Sequence, residues 1–113
     1  MIHHTTVSIE ELVQEINTVN HAWKVASQIE IADSLTTIAQ SLGNLKTRLQ
    51  VRLLRSYAPE KVYLQLDLDT QGEELYGLIL CEPVENYWNA AHLPVRIAQS
   101  VLTPQEIKKF TRI

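Results

Sequence analysis

Four histidines, one cysteine and several closely spaced carboxylates are the residues of this 113-residue chain whose types suit chemistry. A metal site would draw on His3, His4, His21, His92 and Cys81. The spacings that aim two such donors at one ion, Cys-x-x-Cys, His-x-x-x-His and His-Glu-x-x-His, are missing, and His3-His4 reads as a solvated chain end. Nucleophilic catalysis needs a nucleophile, a base and an orienting group in contact. Cys81, His92 and Glu85 supply the types within one stretch, but Cys81 ends an apolar run, where a buried and inert thiol is expected. Asp67 and Asp69 would share one face of a strand, as an acid pair or a hard-cation site requires. Their place at the approach to a turn favours a solvated face. Three glycines leave no phosphate-cradling loop. These types predict a non-enzymatic protein without cofactor or metal.

The residues that stand out instead are suited to recognition. Arg48, Arg52 and Arg55 recur at helical spacing, and Tyr87-Trp88 lies in the polar stretch Glu85-Asn86-Tyr87-Trp88-Asn89. Tryptophan and arginine are enriched in binding hot spots, so these five residues form the candidate partner-binding surface. The competing reading folds the Trp88 ring back on the sheet as a lid of the core.

The elements that position them follow from periodicity. Ser8-Ile9-Glu10-Glu11 is a capping box, with the hydroxyl accepting from the Glu11 N–H and the carboxylate reaching back to the Ser8 N–H. Ile9, Leu12, Val13 and Ile16 then mark a helix near 8–18, which Asn17, Thr18 and Asn20 are suited to end. A second helical pattern starts near Ala22, and Ile31, Leu35, Ile38, Leu42, Leu45 and Leu49 make a heptad-like stripe. That stripe can pack on the chain's own sheet or pair with a second copy in a homodimer. Gly43-Asn44 interrupts it with the usual helix-stop signal.

Beyond Gly43 both templates fit. A helix would place Arg48, Arg52 and Arg55 opposite Leu42, Leu45, Leu49 and Leu53; a strand would alternate Leu49, Val51 and Leu53 with Arg48, Gln50 and Arg52. The glycine stop favours the strand over 47–56. Val62, Leu64, Leu66 and Leu68 alternate with polar residues, Thr70-Gln71-Gly72-Glu73 reads as a turn, and 75–81 as the hairpin partner. Pro83 ends that strand and 84–92 reads as a loop. Pro94–Leu102 and a second capping box at Thr103-Pro104-Gln105-Glu106 predict two short helices. The expected fold is α+β, a single domain over 1–113: two N-terminal helices on a small antiparallel sheet of about three strands, with short C-terminal helices.

Ile38-Ala39-Gln40-Ser41-Leu42-Gly43 followed by Leu45-Lys46-Thr47-Arg48-Leu49 resembles the turn and recognition helix of bacterial helix-turn-helix DNA-binding domains. The resemblance is confined to residues 38–49 and implies a nucleic-acid-binding regulator using 38–55. A net charge of −3 gives little general attraction to nucleic acid, which ranks this reading second. Charge is segregated: residues 1–45 are acidic, 46–61 basic, 62–95 carry six carboxylates and no Lys or Arg, and 96–113 are basic. Neighbouring elements of opposite sign are expected to neutralise one another in part.

A lone cysteine forms no intramolecular disulfide, the first residues lack a secretory pattern, and no apolar run spans a bilayer, so a cytoplasmic location is expected. The leading reading is a small interaction protein, such as an adaptor, assembly factor or regulatory subunit, that binds a partner protein. A small enzyme or ligand binder using Asp67, Asp69, Cys81 or His92 ranks third.

Overall fold

In a computed structural model, residues 8–29 and 33–111 are described. Two helices, α1 (Ile9–Gln28) and α2 (Asp33–Tyr57), precede three strands, β1 (Val62–Leu68), β2 (Glu74–Val84) and β3 (Tyr87–Pro94), and two short helices, α3 (Val95–Val101) and α4 (Pro104–Phe110). The sheet is antiparallel in the order β1-β2-β3. This is the expected α+β class, although different segments fill the strands.

Ser8 caps α1 by accepting from the Glu11 N–H at 3.1 Å, while the Glu11 carboxylate accepts from the Ser8 hydroxyl rather than from its backbone. The asparagines do not end this helix, which runs to Gln28 instead of 18, so the second pattern near Ala22 belongs to α1. Asn17 is held in place from both sides, its amide donating to Val13 O one turn back and to Asn89 O on β3. Val19, just beyond it, is buried in the core.

The expected strand at 47–56 is part of α2, and Gly43 does not stop that helix. A helix stop needs a left-handed residue. Gly43 lacks that conformation; an added Cβ there would lie 3.3 Å from Trp23 Nε1, so the glycine admits the indole instead. Leu45, Leu49, Leu53 and Leu54 continue the apolar stripe beyond it, and tertiary burial outweighs the roughly 1 kcal/mol that glycine costs inside a helix. Pro59, joined to Ala58 by a cis peptide bond, follows the end of α2 at Tyr57. Of the expected stripe, Leu49 is buried, Leu42 and Leu45 are half-buried, and Ile38 is exposed. Ile31 and the Leu35 side chain, like His3 and His4, lie outside what is described.

Most of the stretch expected as a loop, 84–92, belongs to the third strand, β3, and β2 passes through Pro83 to Val84. Glu85 adopts φ 54 in the tight β2–β3 connection, which the acidic, polar sequence disguised. Gly77 pairs with His92 and Ile79 with Asn89, so β3 carries one extra residue there, a bulge in which Ala91 takes φ 62. Gln50 of α2, fully buried, clamps this bulge by donating from Nε2 to Ala90 O (3.0 Å) and His92 O (3.2 Å).

One core joins α1 (Leu12, Val13, Ile16), α2 (Leu53, Leu54), the sheet (Val62, Leu64, Leu78, Leu93) and the C-terminal helices (Ala98, Phe110). Thr103 and Glu106 complete both halves of the expected second capping box. Thr111 bridges the β1 edge at Leu64. Among the described residues, no helix is long and apolar enough to cross a membrane.

Candidate functional site

Past Val19 on α1 and before Lys46 on α2, no described hairpin residue is buried. This distal half forms one wall of an open trough of about 1430 Å³. Asn20, Trp23, Gly43 and Lys46 belong to that wall; Leu75, His92, Pro94, Arg96 and Val101, from the ends of β2 and β3 and from α3, form the other. A shallower groove of about 530 Å³ continues along α2 past Val51 and Arg52 to Arg55 and Ser56. Thr47, Arg48 and Val101 border both hollows, so together they make one channel between α2 and α3.

The three arginines therefore meet along one channel, as members of a helix face rather than a strand. They differ in state. Arg55 is engaged: Nε donates to Glu106 Oε2 at 2.8 Å, and Nη2 to Glu106 Oε1 at 3.1 Å and Val101 O at 3.3 Å. This bidentate grip, with the Thr103 backbone N–H second in size, lowers the Glu106 carboxyl to about 2. Arg48 and Arg52 form no ion pair among the described residues. The channel thus closes at one end on an Arg55–Glu106 clasp and carries unneutralised guanidinium groups along its side.

Lys46 is the residue that sequence reasoning passed over. It is only 7% exposed. Its Nζ donates to Asn20 Oδ1 at a long 3.4 Å and stands 4.5 Å above the centre of the Trp23 ring. Desolvation, followed by the charge of Lys24, lowers its pKa below the ordinary lysine value. Among the described residues, no carboxylate forms an ion pair with it. The two carboxylates on the trough are already committed: Asp69 Oδ1 accepts from the Gln71 and Glu73 N–H groups and shapes the β1–β2 turn, and Glu73 pairs with Arg96 at 3.1 Å. Lys24, Lys46, Arg48 and Arg96 thus outnumber Asp69 and Glu73 on the trough wall, in a chain whose net charge is negative.

Tyr87 and Trp88 do not line the channel. They begin β3 at the other end of the sheet, where Gln14 donates to Glu85 and Asn17 to Asn89 O, and Trp88 is 63% exposed rather than a core lid. His92, which does reach the trough, lies roughly 13 Å farther along the strand at about 3.3 Å per residue.

The remaining chemical candidates are dispersed. Cys81 is exposed, not buried as expected, and begins the part of β2 beyond the β1 pairing, its N–H donating to Lys61 O. His92 pairs with Gly77, four residues from Cys81, and Asp67 pairs with Leu75 near the opposite end of the ladder. Asp69 sits in the turn after β1, so the two aspartates do not share a strand face. Among the described residues, no three His, Cys, Asp or Glu side chains gather as a metal site. The continuous α2 also removes the turn that a helix-turn-helix over 38–49 requires.

Comparison with protein-family models, with curated proteins and with solved structures finds no match to this chain.

Proposed function

We propose that this chain is a non-enzymatic protein-interaction module that receives an acidic segment of a partner protein in the channel between α2 and α3. The observation that carries the reading is the state of Arg48 and Arg52: both border the channel without an ion pair among the described residues, while the nearby Arg55 and Arg96 are neutralised within the fold. An interface lined by guanidinium groups together with Val51 and Val101 suits an extended or helical segment carrying carboxylates beside apolar residues. Electrostatic capture of this kind weakens as salt is added.

The test is a titration of a labelled Asp/Glu-rich peptide against the wild type, the double variant Arg48→Glu/Arg52→Glu, and Trp88→Ala, at two salt concentrations. Binding that is lost in the double variant, kept in Trp88→Ala and weakened by salt is expected. Equal binding by wild type and double variant overturns the reading, and tighter binding of mixed-sequence RNA or DNA than of the peptide replaces it with the nucleic-acid alternative.

A further inference from the structure

We infer that Lys46, flanked by Asn20 and Trp23, is the anchor of the trough: a pocket for one carboxylate of the bound ligand. The inference rests on the acidic-segment reading and adds to it the group that is gripped.

An ammonium carries three donors and is ordinarily matched by several acceptors. Among the described residues Lys46 has one acceptor, a neutral amide oxygen at a stretched 3.4 Å, and an aromatic face at 4.5 Å. Two of its donors are left over at a site that is largely withdrawn from water. Burying a charge is costly unless it is paired and hydrogen-bonded, and the pairing is missing here. A structural lysine would be expected to reach a carboxylate, yet the two carboxylates on the same trough are taken by the β1–β2 turn and by Arg96. The lysine lines the open trough, so its free donors have an approach from outside.

The surroundings fit an incoming oxyanion. Gly43 removes the side chain that would crowd Trp23, keeping the indole close against α2 and beneath the ammonium. Lys24 and Arg48 stand on the same trough and add positive potential. A carboxylate there would gain charge-assisted hydrogen bonds in a partly desolvated setting, where such bonds are strongest. It would also offset the two causes that depress the lysine, so occupancy raises its pKa.

Two readouts test this together. One is peptide affinity by calorimetry for wild type, Lys46→Met and Arg48→Glu/Arg52→Glu, with succinate and inorganic phosphate as small-molecule arms. The other is the titration midpoint of Lys46 in the wild type, followed by NMR of its ε-methylene group with and without each probe, which does not depend on any variant folding. The expected result is about a tenfold affinity loss in Lys46→Met and a rise in the Lys46 midpoint with peptide. If Lys46→Met binds peptide as the wild type does, with an unmoved midpoint, while the arginine variant loses binding, the anchor is overturned and the channel reading stands. If the peptide fails but succinate or phosphate raises the midpoint, the channel reading is overturned and the anchor stands for a small anionic ligand. If no probe binds, both are overturned.

Discussion

From Leu12 to Val19 on α1 and from Leu49 to Leu54 on α2, the hairpin buries its apolar face against the sheet. From Asn20 to Gln28 and from Thr37 to Leu45, the same two helices bury no residue fully. The proximal half follows the usual logic of folding, with leucines and valines at helical spacing closing over β1 and β2. The distal half breaks it, with a glycine inside a helix and an aromatic ring against that glycine, and at its border Lys46 is a cation under cover with no anion among the described residues. A segment can depart from local rules when its neighbours already hold it in register, and such departures tend to mark function. One pair of helices thereby divides its length between holding the fold and shaping a site.

The largest expected effect is in the proximal half. Leu53 is fully buried, and Leu53→Ala should cost about 2–5 kcal/mol of unfolding free energy, read by chemical denaturation. A cost below 1 kcal/mol would mean that the proximal packing is as loose as the distal.

Lys46→Met should act in the opposite direction on stability. A lysine whose folded pKa is depressed penalises the folded state at neutral pH. That penalty is relieved as pH rises through the folded value toward the ordinary value of 10.5, because the unfolded chain then binds more protons. Wild-type stability should therefore gain an alkaline rise that Lys46→Met lacks, with the variant more stable at pH 7. Thermal melts at pH 7 and 10 check both points.

Gly43→Ala measures how firmly Trp23 is held. Alanine gains about 1 kcal/mol in helix propensity, and the new methyl needs Trp23 to give by a few tenths of an ångström from 3.3 Å. In a loosely packed half the ring gives way and the melting temperature rises slightly; a fall would show a rigid indole.

The smallest effect belongs to the clasp. Glu106 has a folded pKa of about 2, below its ordinary value of 4.5, so its contribution is fully present above 4.5 and is lost as pH falls toward 2. Glu106→Gln should flatten the acid limb of the stability profile between those values and lower neutral stability by the same contribution, a small one because the pair is exposed.

Much of this fold is legible in the residues. The Ser8 and Thr103 caps, the β1 strand and the α+β class follow from local spacing, although the alternation of β1 buries only Val62 and Leu64 and leaves Leu66 and Leu68 exposed. What spacing could not supply was tertiary. Gly43 reads as a stop until Trp23, twenty residues earlier, is known to pack on it. β3 reads as a loop because its bulge at Ala91 breaks the alternation, and that bulge is held by Gln50 from another element. The candidate site was legible in the same partial way. Arg48, Arg52 and Arg55 do share a face, but helix continuity decides which groove they border, and Glu106 decides which of them is free. Lys46 was hidden by the expected stop at Gly43-Asn44, which left it outside any helix. On a continuous helix it falls with Gly43 and Gln50 on the inward side, and a lysine at an inward position is the signal that would have found it.

The most direct test of this division of labour is an amide NMR titration of the 15N-labelled chain with the Asp/Glu-rich peptide. Shifts confined to residues 20–29, 39–52, 55–56, 69–75 and 92–101 are predicted, the span of the distal hairpin and the channel walls. Shifts centred on Tyr87 and Trp88, or on the proximal faces around Leu12 and Leu53, would contradict it.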